Sequence, residues 1–164
     1  MVEAVDVVIR TGKDPDLLGM EWEGEYRRFR RLYKMAMDEA RAGRRIVLVA
    51  EVAGRIIGQI IVQLNRADSA GTGYIYAFRV RPEWRNRGIG TRLIQVAESV
   101  LVRRRFRRAL IAVARDNPGA RRLYERMGYS LFAEDAGEWS FIDDRGHLQR
   151  VVEPSWLLEK YLPE

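Results

Sequence analysis

No cysteine occurs anywhere in the 164 residues, so disulfides, thiolate metal sites and cysteine nucleophiles are excluded. That lack agrees with a reducing compartment without requiring one. Histidine is nearly as scarce. The one copy, His147, lies in the run DDRGH beside Asp143 and Asp144. With no second histidine and no cysteine, the expectation is no metal site and no Ser-His-Asp arrangement; a polar turn between strands accounts for the run. Long apolar runs are also missing, none approaching the roughly 18 residues that a membrane span requires. The opening MVEAVDVVIR places acids inside its apolar stretch and carries no basic leader, unlike a secretion signal, so a cytoplasmic location is expected. Linkers, internal repeats and low-complexity tracts are absent too, and 164 residues suit one domain, 1–164, around one core.

What the chain has in excess is arginine. A formal net charge of +6 attracts polyanions, whether nucleic acid, membrane or a phosphorylated small molecule. The densest run, RRRFRR at 103–108, falls where a helix is expected to end, and cations there complement the negative end of the helix dipole. An arginine-rich nucleic-acid binder, with Phe106 stacking on a base, is the weaker reading of the same run.

Val5 to Arg10 reads as a first strand. From Asp14-Pro15-Asp16, apolar residues recur every three or four positions through Trp22, Tyr26, Phe29, Tyr33, Met37 and Ala40, which predicts a helical stretch closed by Gly43. Arg45 to Val52 and Arg55 to Leu64 predict a hairpin about Ala53-Gly54. A loop containing Asp68, Ser69, Gly71 and Gly73 leads to a strand at Tyr74 to Val80, ended by Pro82. Ile89, Leu93, Val96, Ala97, Val100 and Leu101 mark a long amphipathic helix. Ala109 to Ala114 is an apolar run of strand length. Asn117 and Pro118 then cap and start a short helix that Gly128 stops. Tyr129 to Ala133, Glu138 to Ile142 and Ser155 to Leu162 close the order as strands. The whole is a mixed α/β domain with a parallel crossover from Tyr74–Val80 through the long helix to Ala109–Ala114.

The stretch RNRGIGTRL, Arg85 to Leu93, sets two glycines and three arginines at the mouth of that long helix. A helix start leaves backbone N–H groups unpaired and carries the positive dipole end, so it can bind phosphate without side chains. Gly88 and Gly90 let the backbone come close to an anion, and Arg85, Arg87 and Arg92 add charge. The stretch lacks the third glycine of the dinucleotide fingerprint and the lysine of a P-loop.

Here the chain resembles the GCN5-related N-acetyltransferase (GNAT) family, which transfers an acetyl group from acetyl-coenzyme A to an amine. The resemblance rests on VRPEWRNRGIGTRL, Val80 to Leu93, and NPGARRLYERMGY, Asn117 to Tyr129, with a strand between. It implies a single α/β domain whose mostly antiparallel, mixed sheet has a parallel strand pair around the cofactor site and helices at its flanks. Main-chain groups of Phe78, Arg79 and Val80 would hold the pantetheine arm of acetyl-coenzyme A. Backbone amides of Arg85, Asn86, Arg87, Gly88, Ile89, Gly90 and Thr91 would take the pyrophosphate. Asn117 would contact the arm, and Tyr124 would lie near the sulfur.

Tyr124, seven residues after Asn117, has turned through nearly two helical revolutions and falls at the edge of the buried stripe, where a phenol packs its ring and presents its hydroxyl to a cleft. The expected mechanism is direct attack of a primary amine on the thioester in a ternary complex, with Tyr124 as general acid toward the departing thiolate. The strand YIYAFRV, Tyr74 to Val80, holds no carboxylate base. Tyr76, as base or water-positioning group, Tyr74, or an ordered water chain are the candidates there, with Glu21, Glu23 and Glu25 farther off. A non-catalytic acetyl-coenzyme A sensor would keep RNRGIG without needing Tyr124. The acceptor stays open among peptide N-termini, lysines, polyamines and aminoglycosides; Trp22, Tyr26 and Trp139 with nearby acids form a possible aromatic pocket for a cationic amine. Pairing through the C-terminal strand is a possible route to a homodimer.

Overall fold

Ala53 and Gly54 both take positive φ, 48° and 81°, the geometry of the tightest hairpin turn, so β2 (Arg45–Val52) folds directly back as β3 (Arg55–Leu64). Along β2 the side chains alternate between two cores. Ile46, Leu48 and Ala50 enter one and Val47 and Val49 the other. A strand covered on both faces has to read as an unbroken apolar run, as this one does. The computed structural model describes residues 6–65 and 70–164.

Seven strands form the main sheet in the order β1-β2-β3-β4-β5-β9-β6, with β1 at Val8–Thr11, β4 at Thr72–Val80, β5 at Arg108–Ala114, β6 at Ser130–Asp135 and β9 at Ser155–Tyr161. Every neighbouring pair is antiparallel except β4 and β5, the crossover expected from the sequence. Helix α3 (Ile89–Arg103) makes that crossover and packs with α4 (Pro118–Arg126) on one face of the sheet. Helices α1 (Leu17–Met20) and α2 (Arg30–Arg41) cover the other face, joined by Phe141 from a small separate hairpin of β7 (Glu138–Ile142) and β8 (Leu148–Val152).

Three expectations need correcting. The helical stretch from Asp14 to Ala40 is broken into short turns before α2, because Gly24 takes φ of 82° and cannot continue a right-handed helix. Strand β8 is an addition to the expected strands: of LQRVV only Val151 is even partly buried, so its apolar residues form no stripe. The C-terminal strand β9 is paired on both sides, by β5 and β6, so it has no free edge through which to dimerise. Of the remaining expectations, Val5 and the loop positions Asp68 and Ser69 lie outside the described residues.

The turn reading of DDRGH agrees with the fold. Asp143 accepts the backbone N–H groups of Arg145 and His147 at 2.9 and 2.8 Å, shaping the β7–β8 turn. The arginine run likewise ends α3 at Arg103, and Arg108 turns inward as the first residue of β5 to pair with Glu159 at 2.7 Å.

Across the α3 face, Glu98 accepts from Tyr129 Oη and Lys160 Nζ, both at 2.8 Å, tying α3 to the ends of α4 and β9. Removing the carboxylate strands a half-buried ammonium. Glu98→Ala is expected to cost about 2 kcal/mol, read as a lowered urea midpoint with unchanged slope.

Candidate active site

Strands β4 and β5 pair from Thr72 opposite Arg108 to Ile75 opposite Ile111 and then part. The cause is local. On the other side of β4 the register slips between Gln59 and Ile61, so that Ala77 and Phe78 together face Ile60, and Ala77 adopts φ of 49°. Such a bulge bends its strand. The fully buried Gln59 supports it by donating its amide to the Ala77 carbonyl at 3.2 Å. Meanwhile β5 stays straight against β9 as far as Ala114 opposite Ser155. The two strands therefore open into a cleft of about 670 Å³, lined by Phe78 and Arg79 on one side, Val113 and Ala114 on the other, and Asn117, Ala120 and Tyr124 from α4. The far half of β4 faces it as a strand edge with no strand partner among the described residues, open to an extended chain.

Val80 leads through a turn to the start of α3, where the two glycines do different work. Gly88 is the N-cap, left-handed at φ of 78°, with open space where a Cβ would stand and no side chain capping the helix. Asn86, also left-handed at 61°, makes the preceding bend, and the first-turn N–H groups that follow have no intrahelical acceptors. At Gly90 the lack of a Cβ leaves room for a neighbouring ring: a Cβ there would meet Phe78 Cζ at 3.0 Å. Arg85 donates to the Val80 carbonyl at 3.1 Å, and Arg87 lies 4.8 Å over the Trp84 ring. Neither forms an ion pair among the described residues. Arg92 is drawn away to the Val7 carbonyl. Ile89 is buried in the core and Thr91 follows in the first turn of α3, where main-chain N–H groups lack intrahelical acceptors. Uncapped amides beside two unpaired guanidiniums suit a diphosphate.

Asn117 caps α4 by accepting the Ala120 N–H at 3.2 Å, and it lines the cleft as well. At the other end Gly128, at φ of 95°, lets its own N–H reach the Glu125 carbonyl and that of Tyr129 reach Tyr124, which stops the helix. Between these caps Tyr124 is held with its ring against Phe78 and Tyr129, at 6.2 and 6.4 Å between centroids. Its hydroxyl has no protein hydrogen-bond partner among the described residues, and the residue lines the cleft. Burial alone pushes the phenol pKa upward, so it stays protonated at neutral pH.

On the α2 side of β4, two further tyrosines face the cleft, each accepting a hydrogen bond from an arginine: Tyr76 from Arg45 and Tyr33 from Arg79. Burial raises the pKa of both, against the lowering effect of the guanidiniums, which leaves Tyr76 poorly suited to take a proton unaided. The aromatic pocket expected of Trp22 and Tyr26 is filled from within. Arg79 lies 4.0 Å over Tyr26, Trp22 packs edge-on to it, and neither ring lines the cleft, whereas Trp139 does. Glu21 is bound at 2.5 and 2.9 Å to Arg30, Glu25 lies off the cleft, and the Glu23 side chain is outside those described.

Asp135, Glu138 and Glu153 supply the carboxylates that line the cleft, and sequence reasoning missed them along with Arg45 and Tyr33. They arrive from turns and strand ends whose positions depend on long-range pairing, so no local pattern marks them.

The solved structures with this fold include the ribosomal-protein-S18-alanine N-acetyltransferase of Escherichia coli, at a TM-score of 0.74 and 16% identity over 97% of this chain and 96% of that one. Another is the PaiA N-acetyltransferase of Thermoplasma acidophilum in complex with coenzyme A, at 0.71 and 16% identity over 95% and 99%. Identities this low establish the fold alone. In sequence, an acetyltransferase of Sodalis glossinidius (strain morsitans) is 33% identical over 86 residues, 52% of this chain, which spans 58% of that relative's length. The model of the acetyltransferase (GNAT) family matches residues 15–129. That match runs through the opened strand pair, the glycine turn and the whole of α4, and by it the chain belongs to the GNAT family of acetyltransferases.

Proposed function

We propose that the protein is an acetyl-coenzyme A-dependent N-acetyltransferase in which a primary amine, on a small molecule or a peptide, attacks the thioester directly in a ternary complex. The observation that carries this is the parting of β4 from β5 beyond Ile75 and Ile111, with the Tyr124 hydroxyl in the opening.

Main-chain groups of Phe78, Arg79 and Val80 extend the free edge of β4 to the pantetheine arm, and the amides from Arg85 to Thr91 take the diphosphate. Asn117, already spent on its cap, adds a contact to the arm. An N–H group of β4 polarises the thioester carbonyl. As the amine nitrogen bonds to that carbon and the C–S bond breaks, Tyr124 passes its proton to the sulfur. Its raised pKa does not spoil the match, because the same burial raises the basicity of a thiolate formed beside it. The amine must lose a proton before attack. Tyr76, fixed by Arg45, serves better to position water for that step than as the base itself.

Free-thiol release from acetyl-coenzyme A, measured across a panel of primary amines, tests the reading. Release with at least one amine is expected. Coenzyme A binding without release from any of them would leave a sensor and not an enzyme.

A further inference from the structure

Arginines inside an acceptor cleft are unusual company for a substrate that is itself a cation. Arg45 and Arg79 both line the cleft, both are at least partly buried, and neither has a carboxylate within ion-pair distance among the described residues. Their neighbours are phenols and rings. Arg45 donates to Tyr76 Oη, with its guanidinium 5.5 Å from that ring, while its buried Nε has no hydrogen-bond partner. Arg79 donates to Tyr33 Oη and lies 4.0 and 5.2 Å over Tyr26 and Phe29. The two pairs share the cleft, since Tyr33, Arg45, Tyr76 and Arg79 all line it.

A guanidinium loses much of its hydration on burial, and phenols return only part of what a carboxylate would supply. Two such groups on one wall leave an unmet demand for negative charge. The fold does have carboxylates to offer, and it ion-pairs many of its other arginines with them, such as Arg10, Arg30 and Arg108. Glu39, close enough to feel the charge of Arg45, is itself paired with Arg44. Each phenol that accepts from an arginine keeps its own proton to donate, so the wall presents O–H as well as N–H groups.

Resting on the transferase reading above, we infer that the acceptor carries a carboxylate, received by Arg45 and Arg79 with Tyr76, and that it is an α-amino acid with an apolar side chain. The opposite charge is provided for in the same cleft, where Asp135, Glu138 and Glu153 can face the ammonium group. Trp139 and Phe29, stacked at 6.3 Å and both lining the cleft, give an apolar side chain its surface. A polyamine or aminoglycoside, positive throughout, would meet two partly buried like charges on that wall.

Matched acceptors separate the possibilities. Phenylalanine and phenethylamine differ by the carboxylate alone, as do methionine and 3-(methylthio)propylamine. The unmodified protein is expected to release thiol with each amino acid at a kcat/KM at least about tenfold above its decarboxylated partner, mainly through KM. In Arg45→Gln, and separately in Arg79→Gln, that preference is expected to shrink about tenfold. Thiol release from phenethylamine as fast as from phenylalanine, in the unmodified protein, overturns the carboxylate seat while leaving the transferase reading intact. A preference that survives both substitutions also overturns it. Absence of release with any amine defeats the transferase reading, and this one with it.

Discussion

Replacing Tyr124 with phenylalanine is expected to lower kcat by about 100-fold while leaving coenzyme A affinity within about twofold. The substitution keeps the ring, its contacts with Phe78 and Tyr129 and its place on α4, and removes one oxygen. Because no protein group hydrogen-bonds that oxygen among the described residues, its loss leaves no buried partner stranded, and stability should hold or rise slightly. A fall in kcat therefore isolates the proton that the phenol gives to the leaving sulfur. Steady-state kinetics with calorimetry on the same preparation decides the matter, and an unchanged kcat removes Tyr124 from the chemistry.

A second large effect is expected at Gly137, between β6 and β7. Its φ of 70° is left-handed, and a Cβ built there would stand 1.7 Å from the Glu153 carbonyl oxygen. Backbone meets backbone, so no rotamer change relieves the contact. Gly137 also donates to Asp135 at 2.7 Å and accepts from the Glu153 N–H at 3.0 Å, joining the two turns that bring carboxylates to the cleft. Gly137→Ala is expected to cost about 3 kcal/mol and to raise the acceptor KM more than the coenzyme A dissociation constant. Urea unfolding checks the first part and kinetics the second. A variant as stable as the parent contradicts the packing described for these turns.

The turn before α3 and the two ends of α4 were legible in the sequence because their signals are local. A glycine at a helix mouth, an asparagine before a proline and a tyrosine at a fixed helical angle each state their geometry within a few residues. The hairpin at Ala53-Gly54 and the parallel crossover were readable for the same reason. What opens the cleft was not. The bulge at Ala77 comes from the match of β3 to β4, and nothing in YIYAFRV alone marks alanine as left-handed. The packing role of Gly90 was not legible either, since the Phe78 ring that a Cβ there would meet lies twelve residues away, across the turn. Trp22 and Tyr26 were open to two readings, cleft wall or buried face, because their helical spacing fits both. Only the fold reveals that Arg79 lies over Tyr26 and Arg81 over Trp22.

The central claim is that main-chain amides at the start of α3 anchor a diphosphate and so aim a thioester into the parted strands. Calorimetric titration with coenzyme A and, in parallel, with pantetheine, which keeps the thiol arm but lacks the diphosphate, tests it most directly. Coenzyme A should bind, and pantetheine should bind at least about tenfold more weakly. Equal affinity for the two, or no binding of coenzyme A, would contradict it.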